Sequence, residues 1–533
     1  MAKRLGVIFL IVLGVAIFCM AGFLLVLFLA PGVEIFGLKY IATNTHVVQK
    51  NAYILDEMPD SNFSGSIKIE TENIPIEIVF SADRIYAVEY YDNYSGLTTT
   101  KIDDPSISIT KDEDGAALIK IESYKTFIYE NANTNRYLKV RVPMVAAGSV
   151  YEGLFDLSIT SDISTVTFTD VSDSEWQAKF NKLSIKTNGK VDYNTEVYAN
   201  TFEFETINTI NATDDKKSVA NATNYVLKST GGRIVVSRKV DGDITATTNN
   251  ANIKILECNN LVASSGFGNI SCSDDEKDIV VKGYAKIETK AGSVAIGSIL
   301  GEGDVSEIKT GSGSVNIKKV VDANITTTLG SVTINSGNKL TISTDVGRVK
   351  VEEAVESVDV STKRGNVFLG AEGNNVKNSK VFTRLGKVFV YSASGSANIQ
   401  SLSNSIEFKN TDANDITLVS GSSVNASNLI GKVSITAEAN SVVSFKNFTD
   451  TSLIEMKGGA THVTVNLLSN EASDVRYILT GKSVTRWEYS EELSQSSRME
   501  QSTRIAAGDL NRPLLTVTGG DSDVDIYFKA SVI

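Results

Sequence analysis

Histidines, cysteines and clustered carboxylates are the residues of this chain that could carry chemistry, and they are few. The 533 residues include 2 His and 3 Cys. His46 and His462 lie far apart in the sequence, and neither is accompanied by a second His or by a G-x-S-x-G nucleophile motif. A structural zinc site takes about four His, Cys or carboxylate ligands. The sequence therefore predicts no catalytic residue, no metal site and no cofactor, and hence a protein that is not an enzyme.

Two acidic stretches could be mistaken for cation sites. Asp521, Asp523 and Asp525 alternate after a Gly-Gly pair, and residues 274–276 read Asp-Asp-Glu. Alternate Asp residues also lie on the solvent side of an ordinary exposed strand, and a run of acids is typical of a solvated loop. We interpret both stretches as exposed surface, and the sequence leaves calcium binding near Asp521 open.

The three cysteines fall in two settings. Cys19 lies inside an apolar segment and follows Phe18, which does not suit a lipoprotein cleavage box, so we interpret it as a buried apolar residue. Cys258 and Cys272 lie in a part of the chain that we expect to be exported, where a disulfide is permitted. They occupy different positions of the repeat described below, and the sequence leaves a bridge between them open.

The N-terminal segment predicts the location of the protein. Residues 5–33 contain no charged side chain, and the 26 residues 5–30 are almost wholly apolar. A helix of that length is roughly 39 Å long, enough to cross a hydrocarbon core of about 30 Å. A cleaved signal peptide has a shorter apolar core of about 7–15 residues, so the length favours an uncleaved anchor. Because Lys3 and Arg4 precede the helix, we expect the N-terminus in the cytoplasm and the rest outside the cytoplasmic membrane, at the cell surface.

The composition indicates a folded protein and disfavours a nucleic-acid partner. Hydrophobic residues make up 42% and charged residues 21%, which is typical of a folded chain. The formal net charge is −12, from 51 Lys+Arg and 63 Asp+Glu. Because phosphate binding needs a basic surface, we expect no nucleic-acid partner.

A ten-residue pattern, I/V-x-T-x-x-G-x-V-x-I/V, recurs between residues 287 and 390. Its six copies are Ile287–Ile296, Ile308–Ile317, Ile325–Ile334, Ile342–Val351, Val360–Leu369 and Val381–Val390. Looser copies carry the glycine position upstream at Gly232, Ala251 and Gly268, and downstream at Asn404, Asn440 and near Gly421 and Gly459. The region therefore holds about 13 copies, spaced by about 19 residues.

This spacing predicts a right-handed parallel β-solenoid. Apolar and polar residues alternate within each copy, which is the period of a strand with one buried face. The glycine marks a corner that needs either a positive φ or a close backbone approach. A unit of about 19 residues is too short for a pair of helices and suits one coil, and parallel crossovers are right-handed. The six prolines all lie outside 144–512, as an uninterrupted strand ladder requires. The regular period disfavours the alternative, a sandwich of short hairpins.

Stacked coils would place equivalent residues in columns. Val294, Val315, Val332, Val349, Val367 and Val388 would form one internal column, and the residues two positions later a second. The threonines of the pattern would form a third column, with hydroxyls able to hydrogen-bond along the stack. The outward positions are a mixture of Ser, Thr, Lys and Asp in which we recognise no cluster.

The segments on either side predict the remaining organisation. Residues 61–180 are interpreted as an N-terminal β-region, and 466–533 as a C-terminal capping segment in which 485–507 form a short helix or a loop and 514–517 and 524–528 form closing strands. The full predicted division is a cytoplasmic N-terminus (1–4), a transmembrane signal-anchor helix (5–30), a juxtamembrane segment (31–60), the N-terminal β-region with irregular first coils (61–180), the solenoid (181–465) and the cap (466–533).

The repeat and the segment before it resemble a bacterial adhesin-like β-strand-repeat family of unknown function. The residues that carry the resemblance are Thr310–Ile317, the extended strand Tyr137–Pro143 that ends in proline, Leu157–Thr160, and the stretch from Ile76 to Tyr90. The resemblance covers about residues 60–465. It implies an exported, membrane-anchored protein whose ligand is unknown, and it supplies no catalytic residue.

We therefore expect a membrane-anchored, non-catalytic, adhesin-like or envelope interaction module that binds glycan or protein. One alternative is an envelope scaffold or sensor that partners another membrane protein. The other is a polysaccharide-active β-helix enzyme. A groove lined with aromatic side chains would favour glycan binding, whereas an acidic cluster on one face would favour the enzyme.

Overall fold

The structure is a computed structural model that describes residues 2–29, 34–35, 38–41, 47–54, 65–72, 74–82, 85–93, 96–98, 106–122, 129–130, 136–146, 155–168, 176–193, 197–212, 222–272, 280–410, 412–457, 462–467, 476–490, 493–499, 503–506 and 512–529. These residues form one helix and are otherwise mostly β-strand. Contacts divide the chain into two units, Met1–Asp241 and Gly242–Ile533. Each unit is described by itself.

The helix α1 spans Ala2–Leu29. Its stretch Gly6–Phe23 is long and apolar enough to cross a membrane, and none of it is buried against the rest of the protein. Large side chains such as Phe9 and Phe18 are exposed, which is costly in water and favourable in lipid. A membrane anchor and a signal sequence both fit this helix. Ala30, the last residue of the predicted span, lies outside the described residues.

The described residues of the first unit form twenty strands. They are β1 (Glu34–Ile35), β2 (Leu38–Ile41), β3 (Val47–Tyr53), β4 (Ile67–Thr71), β5 (Ile76–Ser81), β6 (Ala87–Asn93), β7 (Gly96–Thr98), β8 (Ser106–Lys111), β9 (Ala117–Glu122), β10 (Tyr129–Glu130), β11 (Arg136–Pro143), β12 (Val145–Ala146), β13 (Phe155–Ser161), β14 (Val166–Phe168), β15 (Trp176–Thr187), β16 (Val191–Tyr193), β17 (Val197–Thr206), β18 (Ile210–Ala212), β19 (Ala222–Ser229) and β20 (Ile234–Lys239).

Two parallel ladders run through this unit. One joins β9, β4, β13, β15, β17 and β19 in that order. The other joins β11, β5, β14, β16, β18 and β20. Antiparallel pairs occur beside them, as in β3 with β6, β6 with β11 and β8 with β9. The predicted β-region is therefore a mixed sheet whose later strands are parallel.

In the part of the second unit that the structure describes there are twenty-eight strands. They are β21 (Asp243–Thr248), β22 (Ile253–Glu257), β23 (Leu261–Ser265), β24 (Ile270–Cys272), β25 (Val280–Val281), β26 (Ala285–Thr289), β27 (Val294–Ile299), β28 (Ser306–Thr310), β29 (Val315–Thr327), β30 (Val332–Thr344), β31 (Val349–Thr362), β32 (Val367–Leu369), β33 (Val376–Thr383), β34 (Val388–Val390), β35 (Ala393–Ser401), β36 (Ile406–Lys409), β37 (Asp412–Ser420), β38 (Val424–Leu429), β39 (Lys432–Ala437), β40 (Ser441–Phe445), β41 (Ser452–Met456), β42 (His462–Leu467), β43 (Arg476–Thr480), β44 (Ser483–Ser490), β45 (Leu493–Met499), β46 (Thr503–Ala506), β47 (Leu514–Thr518) and β48 (Asp523–Lys529).

The pairing within the repeats of this unit is parallel and follows the sequence pattern. Val294 pairs with Val315, Val315 with Val332, and Val332 with Val349. The column continues to Val367 and Val388. Its six valines are fully buried. The predicted valine column is thus confirmed, and the same strand pairs carry the second aliphatic column at Ile296, Ile317, Ile334, Val351, Leu369 and Val390.

Threonine and glycine form a hydrogen-bonded corner between successive repeats. The hydroxyl of Thr310 donates to the carbonyl oxygen of Gly292 at 3.0 Å and accepts the amide N–H of Gly313, also at 3.0 Å. Thr289 makes the same two bonds with Gly268 and Gly292. A side chain at the glycine would collide with the repeat before it, since a Cβ on Gly313 would lie 1.8 Å from the oxygen of Gly292. Gly268, Gly292 and Gly313 have no positive φ, so close approach, and not backbone conformation, requires glycine at these three corners.

The end of the second unit differs from the sequence expectation. The predicted closing strands are confirmed, since β47 pairs with β41 and β48 with β42, both parallel. The prediction of a short helix or loop for 485–507 is wrong, because β44 and β45 form an antiparallel hairpin there and β46 pairs antiparallel with β43. Backbone pairing to β48 and β43 fixes these segments. Because these segments are mostly polar, they lack the apolar alternation that indicates a strand.

Placing a charge in the valine column tests the stack. Val332→Asp should cost on the order of 4 kcal/mol, because an unpaired carboxylate would enter an interior without water. Ser343→Asp is the matched control, since Ser343 is an exposed residue of the same strand β30 with Thr326 and Ser361 as neighbours in register. The midpoint temperature of thermal unfolding, followed by circular dichroism on the full chain in detergent, should fall sharply for Val332→Asp. It should change little for Ser343→Asp. Equal midpoints would contradict the buried column.

Removing one corner hydroxyl tests the threonine column. Thr310→Val keeps the volume but leaves the Gly292 carbonyl and the Gly313 amide without a partner, so the free energy of unfolding should fall by about 1–3 kcal/mol. Thr310→Ser keeps the hydroxyl and should lose much less, as the same corner is built on Ser265 and Ser401. Urea unfolding of the two variants makes the comparison. If serine and valine were equally destabilising, the corner hydrogen bonds would not carry the effect.

Candidate ligand-binding face

The residues that the sequence singled out for chemistry do not assemble into a site. The imidazole Nε2 of His462 lies 3.1 Å from Oδ2 of Asp525, and the hydroxyl of Ser483 donates to Asp523 at 2.6 Å instead of to the imidazole. In the part of the chain that the structure describes, three or more His, Cys, Asp or Glu side chains nowhere converge as metal ligands would. His46 and residues 274–276 lie outside the described residues.

The two cysteines of the second unit are free thiols inside the core. Both side chains are fully buried, and no disulfide joins them. Loss of water raises the pKa of Cys258 to about 12, and the nearby Asp243 and Glu257 carboxylates act in the same direction. Burial likewise raises the pKa of Cys272, with a smaller effect from Cys258. Both thiols are therefore neutral and unreactive in the folded protein. Cys19 is exposed on α1.

One outward column of the second unit carries aromatic side chains. The residue between the two buried positions of each short strand points outward, and in β31, β32, β34, β36 and β38 it is Lys350, Phe368, Phe389, Glu407 and Asn425, paired in register. Tyr391 follows β34 on the same side and is 47% exposed. We define the aromatic face as Phe368, Phe389 and Tyr391.

The aromatic face is ordered by contacts between its own side chains. The rings of Phe368 and Phe389 stack with centroids 4.8 Å apart and planes 4° from parallel. The guanidinium of Arg348 lies 5.7 Å from the centre of the Phe368 ring. The ammonium of Lys409 lies 4.9 Å from the centre of the Tyr391 ring, close enough for a cation–π attraction. The face therefore presents stacked aromatic rings, held against one another, beside positive charges.

A groove lies beside Tyr391. It encloses about 470 Å³ and is lined by Glu372, Asn375, Tyr391, Lys409, Asn428 and Lys446 among others. A shallower groove of about 250 Å³ continues from it past Phe389, Glu407 and Asn425. Both volumes share Tyr391 and Lys409. The floor and the rim are polar, so the groove suits a ligand with many hydroxyl or charged groups better than an apolar one.

Hydrogen bonds and tight turns hold the groove in shape. The buried Asn410 side chain donates to the carbonyl of Ala413 at 2.9 Å and accepts the amide of the same residue at 2.8 Å. The hydroxyl of Ser392 contacts the side chain of Asn375. A short loop at one wall turns through Gly370 and Gly373, both with positive φ, and is closed by a bridge between Ala371 and Asn374. The floor of the groove is therefore held in one conformation by hydrogen bonds within the protein. The side chains of Tyr391, Lys409 and Lys446 line the groove and can contact a ligand.

Sequence reasoning missed the aromatic face although its signal was in the repeat. The position that is phenylalanine at 368 and 389 is Ala295, Asn316 and Thr333 in earlier copies. Aromatic residues at an outward position in two successive copies are not required by packing. The expectation of no cluster among the outward positions is corrected by this column.

Comparison with known proteins returned no match: no family model, curated protein or solved structure corresponds to this chain.

The buried thiols predict a pH dependence of stability. Because the pKa of each thiol is raised in the folded state, the thiols ionise at a lower pH in the unfolded chain than in the folded one. The stability that they contribute is complete below the ordinary thiol pKa of about 8.5. It is lost as the pH rises toward about 12. Urea midpoints of the full chain measured between about pH 8 and pH 11 should fall more steeply than those of Cys258→Ala/Cys272→Ala. Parallel curves for the two proteins would contradict buried, neutral thiols.

Proposed function

We infer that this protein is a membrane-anchored, extracytoplasmic β-solenoid that acts as a non-catalytic interaction module of the cell envelope. In this proposal α1 stays in the cytoplasmic membrane as an uncleaved anchor, with Lys3 and Arg4 on the cytoplasmic side. The parallel strands form a right-handed solenoid of about 13 coils or more, since parallel crossovers take that hand. The resemblance to the adhesin-like β-strand-repeat family belongs to the same proposal.

The observation that carries the proposal is the aromatic face with its groove. Phe368 and Phe389 are half-buried and stack on one another, and aromatic side chains at such an outward position are useful in recognition. Here they lie beside a polar groove and on a rigid parallel sheet, which lowers the entropy lost when a ligand binds. Of the two ligand classes expected, glycan or protein, the polar lining beside flat aromatic rings favours a glycan.

The arrangement of the charged and nucleophilic residues favours a protein that binds its ligand without cleaving it. Within the described residues His462 contacts Asp525 and is not hydrogen-bonded to the Ser483 hydroxyl. The carboxylate lining the larger groove is Glu372 and that of the shallower one is Glu407, and glycoside hydrolysis uses two carboxylates that face one bond. The grooves therefore suit holding a polymer better than cutting it.

A single preparation can test anchoring and interaction together. Spheroplasts of a bacterial host that express the full chain with a tag at each end should lose the C-terminal tag to added protease and keep the N-terminal one. They should also adhere to polysaccharide-coated beads without shortening the polymer. Leu13→Arg places a charge in the middle of α1, costs about 3 kcal/mol of insertion, and should reduce both results. A mature chain recovered without α1, or a protected C-terminal tag, would overturn the anchored topology, and a shortened polymer would overturn the non-catalytic role.

A further inference from the structure

We propose that the aromatic face and its groove bind an anionic polysaccharide, one that carries a carboxylate on its sugar rings. This inference rests on the proposed function and specifies its ligand. The ligand would lie across the short strands from Phe368 to Asn425, with sugar rings on the aromatic side chains and carboxylates beside the neighbouring cations.

The first argument is that the cations of this face are left without carboxylate partners. Several other lysines of the second unit are paired, as Lys339 with Glu356, Lys363 with Asp345 and Lys380 with Asp359. Among the described residues, the side chains of Arg348, Lys409 and Lys446 have no such ion pair, and the first two rest on aromatic rings. In a chain of net charge −12, such a local excess of free cations fits an anionic ligand.

The second argument is the spacing of the rings. Phe368 and Phe389 lie on adjacent strands with centroids 4.8 Å apart, the spacing of strands in a sheet. Tyr391 extends the apolar surface beyond Phe389 toward the groove. A polymer made of sugar rings can place the apolar faces of its rings along the outer edges of these stacked rings while its substituents point to the sides. A flexible acidic peptide or a polymer without rings would use the cations and leave the aromatic surface exposed.

The third argument separates carboxylate from phosphate polymers. Glu407 lies in the column between Phe389 and Asn425, and Glu372 lines the groove. These carboxylates accept hydrogen bonds from sugar hydroxyls but repel a densely charged anion. The side chains of Asn375, Asn428 and Asn425 add neutral donors and acceptors to the same grooves. A sugar with one carboxylate and several hydroxyls matches this mixture of charges.

The test compares three polymers on the full chain held in detergent or nanodiscs. Isothermal titration should give binding of oligogalacturonate that weakens between about 50 mM and about 200 mM salt, with much weaker binding of neutral dextran and of poly(glycerol phosphate). Lys409→Glu should weaken oligogalacturonate binding by about tenfold or more, and Tyr391→Ala by about three- to fivefold. Phe382→Ala and Lys254→Glu are matched controls, because both residues are exposed on other strands of the same unit and should leave affinity unchanged.

The outcomes distinguish failure of the aromatic face as the binding site from failure of the proposed function. Equal binding of dextran, or stronger binding of poly(glycerol phosphate), would overturn the carboxylate ligand and leave a glycan-binding module standing. Binding of oligogalacturonate that Lys409→Glu and Tyr391→Ala do not change would overturn this face as the site. If the two variants changed self-association in sedimentation velocity instead, the face would be an interface between copies of the chain, and the proposal would be wrong. If no glycan bound a correctly anchored, folded chain, a glycan ligand would be wrong. Only the anchored topology of the proposed function would then stand.

Discussion

The close contact between successive corner glycines sets the geometry on which the second unit depends. At these corners the backbone of one repeat runs so near the next that a single methyl group would overlap the carbonyl of the preceding glycine. The threonine hydroxyl donates to that carbonyl and accepts the amide of its own glycine, so neither polar group is left unpaired in a dry interior. Because each corner fixes the height and the register of the next, the aliphatic columns follow from it.

Much of this arrangement could be predicted from the sequence, because the same physical requirement recurs in every repeat. Val332, Ile334 and Thr344 have equivalents about 17–21 residues away, and strand pairing brings equivalents together. A single strand gives a weak alternation, but six aligned copies give the inward positions without ambiguity. The corner glycines were also predictable as glycines, although only the structure distinguishes close approach from a positive φ.

The parts that the sequence did not reveal are those without a repeated constraint. The strands of 483–499 have polar side chains and no aligned copies, so their pairing with β48 and with each other left no periodic trace. The aromatic face was missed for the opposite reason, because the regular pattern drew attention to the buried positions on either side of Phe368 and Phe389. The larger groove depends on a loop at 371–374 and on Lys446, which directly follows β40, and no local signal predicts that these meet.

A parallel stack separates the residues that specify the fold from those that are free to specify binding. In the column that includes Phe368, the outward residue changes from alanine through asparagine, threonine and lysine to phenylalanine and glutamate while the valine beside it hardly changes. Because outward side chains are not required by the core, such changes cost little stability. The stacked phenylalanines are therefore not dictated by the core, and this freedom is the physical basis of the proposal that they contact a ligand.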